Sequence, residues 1–270
     1  MTYIRLEYID VAIAAVLLLI NGGLSVALQL GIARELGIAA VRMVVQLLLV
    51  GLALTVLFSH VSLLWTSLAA LAMVLFAGRE IMARQNRRLS GFWAYGLGTS
   101  CMLVAAGVVT VFALLTQIQA DPWYHPRYLL PLLGMILGNT MTGISLGLDT
   151  LTTGVVRDKA AVEARIMLGA TRREALLPAT RAALRSALMP IINSMAATGL
   201  VSLPGMMTGQ ILAGIEPVQA VKYQVLVMFL IAGGTGFGSV AAVLGGIYRL
   251  TDGRHRLRLD RLATARDGGN

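Results

Sequence analysis

Cysteine and lysine are almost missing from this chain. The single cysteine, Cys101, excludes an intrachain disulfide and any multi-cysteine metal cluster. Because it sits in an apolar run, it reads as a small packing residue. The only lysines are Lys159 and Lys222, and neither follows a glycine, so no G-x-x-x-x-G-K-[ST] loop exists to cradle nucleotide phosphates. Charge is scarce overall. Only 13% of the 270 residues are charged, where a soluble domain has about 25%. The three histidines, His60, His125 and His255, are far apart, and no H-x-x-E-H or G-x-S-x-G pattern occurs. Catalysis by this chain is therefore not expected, and no bound cofactor or metal site can be named from these residues. Low-complexity linkers and solenoid repeats are absent as well.

Apolar residues fill the sequence instead: 57% are hydrophobic and the mean hydropathy is +0.78. Runs of roughly 20 apolar residues are long enough to cross a bilayer. The expectation is a single all-α domain over 1–270, a polytopic helical bundle in the membrane. Seven spans are counted, at about 9–30, 38–58, 61–77, 98–118, 128–148, 187–205 and 220–248, with six as the alternative. The first is read as a retained helix rather than a cleaved signal, because Glu7 and Asp10 follow the lone Arg5 and the run continues to about Leu30.

A net charge of +9 raises nucleic acid as a partner, but the arginines lie between the apolar runs, as in cytoplasmic loops. With the N-terminus outside, the inside receives Arg34, Arg79, Arg84, Arg87 and Arg88, seven basic residues from 157 to 185, and six from Arg249 to Arg266. The outside receives Arg5, Arg127 and Lys222. This asymmetry gives an N-out, C-in chain in a bacterial plasma membrane. The basic tail, 249–270, is expected to be solvated or to meet lipid headgroups.

Residues 157–185 are too charged for lipid and lead directly into an apolar span. Within them, 158–177 reads as two short helices with a sharp joint. Glu163 and Ala164 lie on the first helix, and Gly169 is placed to end it in a left-handed conformation. Ala170 follows. Thr171 and Glu174 fit a capping box for the second helix, which Pro178 is expected to limit. Such an element suits docking on a cytoplasmic partner. A surface-lying amphipathic helix is the alternative.

Uncharged polar residues in the spans mark a candidate passage. Gly138, Thr142 and Ser145 share a helical face that Asn139 adjoins, and Asn193 begins a similar line in span six. Pro204, with Gly205 and Gly209, is expected to break that span and place Met206, Met207 and Gln210 along water. Static packing between helices explains the same residues equally well. Gly234, Gly236 and Gly238 are assigned to close helix packing, and Asp121 with His125 to an ordinary outer loop.

Glu163-Ala164 with Gly169 resembles the EAA loop of ABC importer permeases, although Arg165 replaces the second alanine. A longer likeness is to the FetB/YbbM-type permease family, whose plant relatives are implicated in aluminium tolerance. It rests on Arg42–Gln46, on Glu163-Ala-Arg with Leu168–Ala175, and on Gly199–Gly214. The resemblance implies a permease subunit working as a homodimer with a separate cytoplasmic ABC ATPase, which would hold the ATP and magnesium. It also implies iron as cargo in bacteria, with a nucleotide sugar proposed for some plant relatives. A membrane accessory protein that transports nothing is the competing expectation.

Overall fold

The computed structural model describes residues 7–263; Arg5 and the tail from residue 264 to 270, including Arg266, lie outside them. The described chain is helical: α1 Tyr8–Ala27, α2 Ala33–Ser59, α3 Leu63–Ala83, α4 Trp93–Ala113, α5 Pro126–Arg157, α6 Lys159–Met167, α7 Arg172–Ala197, α8 Gly205–Leu212 and α9 Pro217–Leu250. A π turn at Leu114–Ile118 extends α4. Only isolated β-bridges occur among the described residues. Local chemistry sets several ends. Pro126 and Pro217 open α5 and α9, where a missing N–H costs nothing. The His125 ring accepts from the Arg127 N–H and caps α5.

Six of the described helices, α1 to α5 and α9, are long and apolar enough to cross a membrane. The protein is an all-α, polytopic membrane bundle. α7 is not among the six, yet contacts show that it traverses the bundle. α5 and α9 run parallel: Ile136 meets Gly234, Thr140 meets Gly238, Val243 meets Gly147 and Leu151 meets Gly246. Two consecutive parallel helices need a return pass between them, and α7 supplies it. Its Ala187 lies at Gly143 and its Ala183 at Gly147, so it runs opposite to α5. α3 parallels α5, with Met73 at Gly134, Arg84 at Thr142 and Asn86 at Asp149. α4 opposes α9, with Leu97 at Gly245 and Ala105 at Gly238.

α5 is the centre. α3, α4, α9 and α7 pack around it, and its contacts with α7 and α9 use glycine and alanine. Without a hydrophobic drive between helices in lipid, close approach of small residues gives the dispersion contacts that hold such helices together. α1 and α2 are different. They are apolar on all sides and almost entirely exposed, as lipid-facing helices are. α2 is tied to the bundle by the Arg42–Glu80 ion pair at one end and by Arg127 beneath the Phe58 ring at the other.

Three expectations need correction. Pro178 does not limit the second helix of the elbow, because α7 continues through Pro178 and Pro190 to Ala197. A proline removes one bond to the carbonyl four residues back, here that of Glu174 in the first turn, where the exposed face of the helix lets solvent compensate. Span six does not reach 205. It stops at Ala197, and the break lies at 198–203, where Gly199 has φ +95°. Pro204 does not break a helix but caps α8, and Gly205 and Gly209 are helical within it. A fixed φ near −65° serves a helix start as well as it opposes a helix interior.

Candidate docking elbow and polar seam

The charged segment forms an elbow at one end of the bundle. α6 ends at Met167, Gly169 turns the chain with φ +92°, and α7 starts at once. Thr171 Oγ1 accepts from the Glu174 N–H, while the Glu174 carboxylate accepts from the Thr171 N–H at 2.8 Å and its hydroxyl at 2.9 Å. Those bonds hold the carboxyl of Glu174 below its ordinary range. Arg165 donates to the Ala175 carbonyl across the joint, and buried Val162 anchors α6. Glu163 pairs loosely with Lys159 at 3.8 Å. Ala164 and Ala170 flank the turn, Ala170 packing on the core. At the tip, Met167 and Leu168 are 80% and 89% exposed. The sequence pattern does not single them out as contact residues. The signal available was two large apolar residues next to a glycine within a charged stretch.

A folded C-terminal clip braces the elbow. After α9, Leu262 pairs with Leu89, the Ser90 N–H donates to the Arg261 carbonyl at 2.7 Å and the Ala263 N–H to the Arg88 carbonyl at 2.9 Å. The Nδ1 atom of His255 accepts from the Arg172 N–H at 3.2 Å, and the Arg172 guanidinium stacks over the Tyr248 ring. Asp252 receives the Arg254 and Arg256 N–H groups, and Arg258 holds the Asp260 carboxyl down to about 2. The part of the basic tail up to Ala263 is thus a tertiary element, not a solvated end.

The second feature is a seam on α5. Asn139, Leu146 and Thr153 recur at seven-residue spacing and are exposed between α3 and α7. On the α3 side, the Arg84 guanidinium donates to Thr142 Oγ1 at 3.5 Å, and the carboxylate of Asp149 accepts from Asn86. On the α7 side, the Thr150 hydroxyl donates to Ser186 Oγ at 3.0 Å. Asn193 is seven residues beyond Ser186, on the same face of α7, and the antiparallel register puts it near the depth of Asn139. Asn139 and Thr142 thus lie on one strip of α5, and Asn193 lies on the exposed face of the antiparallel α7. Ser145 does not join them. It is buried and donates to the Met141 carbonyl. Pro204, Met206, Met207 and Gln210 belong to the α8 region, which packs on α9. Met206 lies against the core, and the side-chain amide oxygen (Oε1) of Gln210 is buried without a hydrogen-bond partner among the described residues. Among the described residues, no group of three or more His, Cys, Asp or Glu side chains is placed to hold a metal ion.

An exposed elbow on a bundle with six described helices long and apolar enough to cross a membrane defines a polytopic helical membrane protein. Residues 8–251 match the model of an uncharacterised protein family, UPF0014. The chain belongs to that family. It is 39% identical over 219 residues to the UPF0014 membrane protein slr1647 of Synechocystis, covering 80% of this chain and 82% of that one. It is 33% identical to the rice UPF0014 membrane protein STAR2, covering 85% and 81%. It is 30% identical over 253 residues to the Escherichia coli protein named probable iron export permease protein FetB, covering 94% and 95%. No solved structure gives a significant match.

Proposed function

We propose that the chain is the membrane-spanning permease subunit of an ABC transporter, driven by a separate ATPase that docks on the α6–α7 elbow. The observation that carries this reading is the tip: two large apolar side chains, Met167 and Leu168, held in water by a charged and internally capped elbow. Apolar groups so exposed mark a protein contact. α7 leads from that contact directly to the seam, so motion of the elbow reaches Ser186 and Asn193 through one helix. An ATPase pair implies two elbows, hence a homodimer. With seven passes, N-out and C-in, the elbow and its arginines face the cytoplasm of a bacterial inner membrane.

The cargo is a metal ion, with iron supported by the name of the Escherichia coli relative. A second cargo class is a polar organic molecule such as a nucleotide sugar. It is favoured by the seam itself, whose Asn139, Thr142, Ser186 and Asn193 offer hydrogen bonds and whose carboxylate, Asp149, already accepts from Asn86, where iron prefers several free carboxylate or imidazole donors. The alternative without transport, a membrane accessory protein, predicts no nucleotide-dependent change at the seam.

The deciding experiment is co-purification of the full chain with a co-expressed candidate ABC ATPase, followed by ATP hydrolysis in proteoliposomes. Met167→Asp with Leu168→Asp should abolish capture and stimulation while leaving the bundle folded. Capture unaffected by the double variant would remove the elbow as the docking site.

A further inference from the structure

We infer that α3 and α4 together form a binding site for one anionic phospholipid in the leaflet at the elbow end. A shallow, open groove of about 380 Å³ lies along α3, lined by Leu75, Phe76, Arg79 and Met82, with Tyr95 of α4 at its side. Its chemistry changes along its length. Leu75 and Phe76, 46% and 62% exposed, give apolar walls toward the bilayer interior. Arg79 closes the end nearest the elbow. α3 has 21 residues and is about 31 Å long, close to the hydrocarbon thickness of a bilayer. Arg79 stands four residues before its end, so the stem lies along the groove and the guanidinium reaches headgroup level.

Three observations make this more than an arginine at a membrane boundary. Arg79 is exposed and has no ion-pair partner among the described residues, while the adjacent carboxylate, Glu80, is taken by Arg42. The groove is also preformed. Gly78 lets Thr99 of α4 press against α3, and the Tyr95 hydroxyl donates to the Leu75 carbonyl at 3.0 Å, which fixes the ring at the groove's side. Finally, Trp93, the first residue of α4, lies beneath the Arg249 guanidinium, and Phe92 beside it is exposed. Aromatic side chains of this kind sit at the headgroup level, so the interface is placed beside Arg79 independently of the groove.

The occupant this chemistry recognises has a phosphate diester for the guanidinium, which can donate two parallel hydrogen bonds to it, and an acyl chain for the groove. A zwitterionic lipid offers the same phosphate but carries its own cation, which competes with Arg79. The site therefore prefers a headgroup of net negative charge.

The test uses the full chain in vesicles of phosphatidylcholine alone or doped with phosphatidylglycerol, then gentle detergent extraction and native mass spectrometry. Wild type should retain one phosphatidylglycerol, and excess inorganic phosphate should not displace it. Arg79→Gln should weaken retention about tenfold, Arg79→Lys should restore part of it, and Phe76→Ala should weaken it with the charge intact. Arg173→Gln, at the exposed start of α7, should change nothing. Equal retention by Arg79→Gln and wild type would overturn the site, as would equal retention of both lipids. Displacement by inorganic phosphate would reduce the site to an anion contact. Loss of the groove on forming a dimer, read as no lipid on the two-copy species, would assign it to a second copy instead.

Discussion

Gly143 is where α5, α7 and α9 come closest, and a single methyl group there tests how the polar α7 is held in the bundle. A β-carbon at Gly143 would lie 2.7 Å from Ser239 Oγ, 2.8 Å from Thr235 Cγ2 and 3.2 Å from the Ala187 carbonyl oxygen. The serine hydroxyl can rotate away. The threonine is β-branched and stiff at χ1, and the carbonyl belongs to α7's backbone, so those two must be displaced. Overpacking of this kind costs about 1–3 kcal/mol. Gly154, on the same helix, has nothing within 4 Å of its β-carbon position. Alanine there gains up to about 1 kcal/mol from helix propensity alone. The two substitutions are chemically identical and share the propensity gain, so their difference of about 1–3 kcal/mol isolates the crossing point. Thermal unfolding in detergent, followed by tryptophan fluorescence or by burial of Cys101, reads it. The expected order of midpoints is Gly154→Ala at or above wild type and Gly143→Ala clearly below. Equal midpoints for the two variants would refute tight packing of α7 at Gly143.

The joint at Gly169 should be equally selective in another way: Gly169→Val forces a β-branched residue to φ +92°, so ATPase stimulation should fall while the unfolding midpoint of the spans stays within experimental error. Acid should loosen the same elbow. The carboxyl of Glu174, which lies before the crossing stretch, is depressed by its hydrogen bonds to Thr171, and that of Asp260 is held at about 2 by Arg258. Groups depressed in the fold contribute stability above their unfolded values and lose it as pH falls through the folded ones. Protease cleavage at the elbow and at the clip should thus each rise as pH falls through the folded values of these carboxyls, and Glu174→Gln should remove the rise at the elbow only. Single cysteines at Asn139, Leu146, Thr153, Ser186 and Asn193, in a Cys101→Ala background, should react with a water-soluble thiol reagent as one face and change when the ATPase is trapped with nucleotide. Cysteine at Ser145 should stay protected.

The apolar runs were legible because spanning a bilayer needs length and hydropathy, and both are local properties. The elbow was legible for a related reason: Gly169 and the Thr171–Glu174 pair satisfy backbone groups within a few residues. Asn139, Thr142 and Asn193 stand out in the sequence as polar side chains inside apolar runs, and Asn139 and Asn193 are exposed on their helices. What the sequence did not show is which face of each helix meets which neighbour. Ser145 shares a helical face with Thr142 by spacing, yet it turns inward because α5 is enclosed on several sides and only the strip between α3 and α7 stays open. The Pro204 error has a different origin. Proline ends one helix and begins the next with the same backbone angle, and only the turn at 198–203 decides which. The fold of the tail up to Ala263 depends on the Arg88–Ser90 loop, more than 160 residues away, and no local pattern announces it.

α7 brings these strands together, because its unusual composition follows from its position. By hydropathy it is a poor membrane helix, with Arg181 and Arg185 near its middle and Asn193 and Ser194 toward its end. Lipid on all sides would leave those groups without partners. The parallel register of α5 and α9 nonetheless requires a return pass where α7 lies. A helix that must cross but cannot face lipid on its polar side needs protein or water there. The small residues on its other side, Ala183 and Ala187, let it approach α5 without interlocking large side chains. Such an interface resists separation, yet it opposes sliding and rotation less than one of interdigitated leucines. The helix that follows the exposed Met167 and Leu168 tip therefore also carries polar residues at the seam, as a helix that transmits movement from a docked partner to a passage would need.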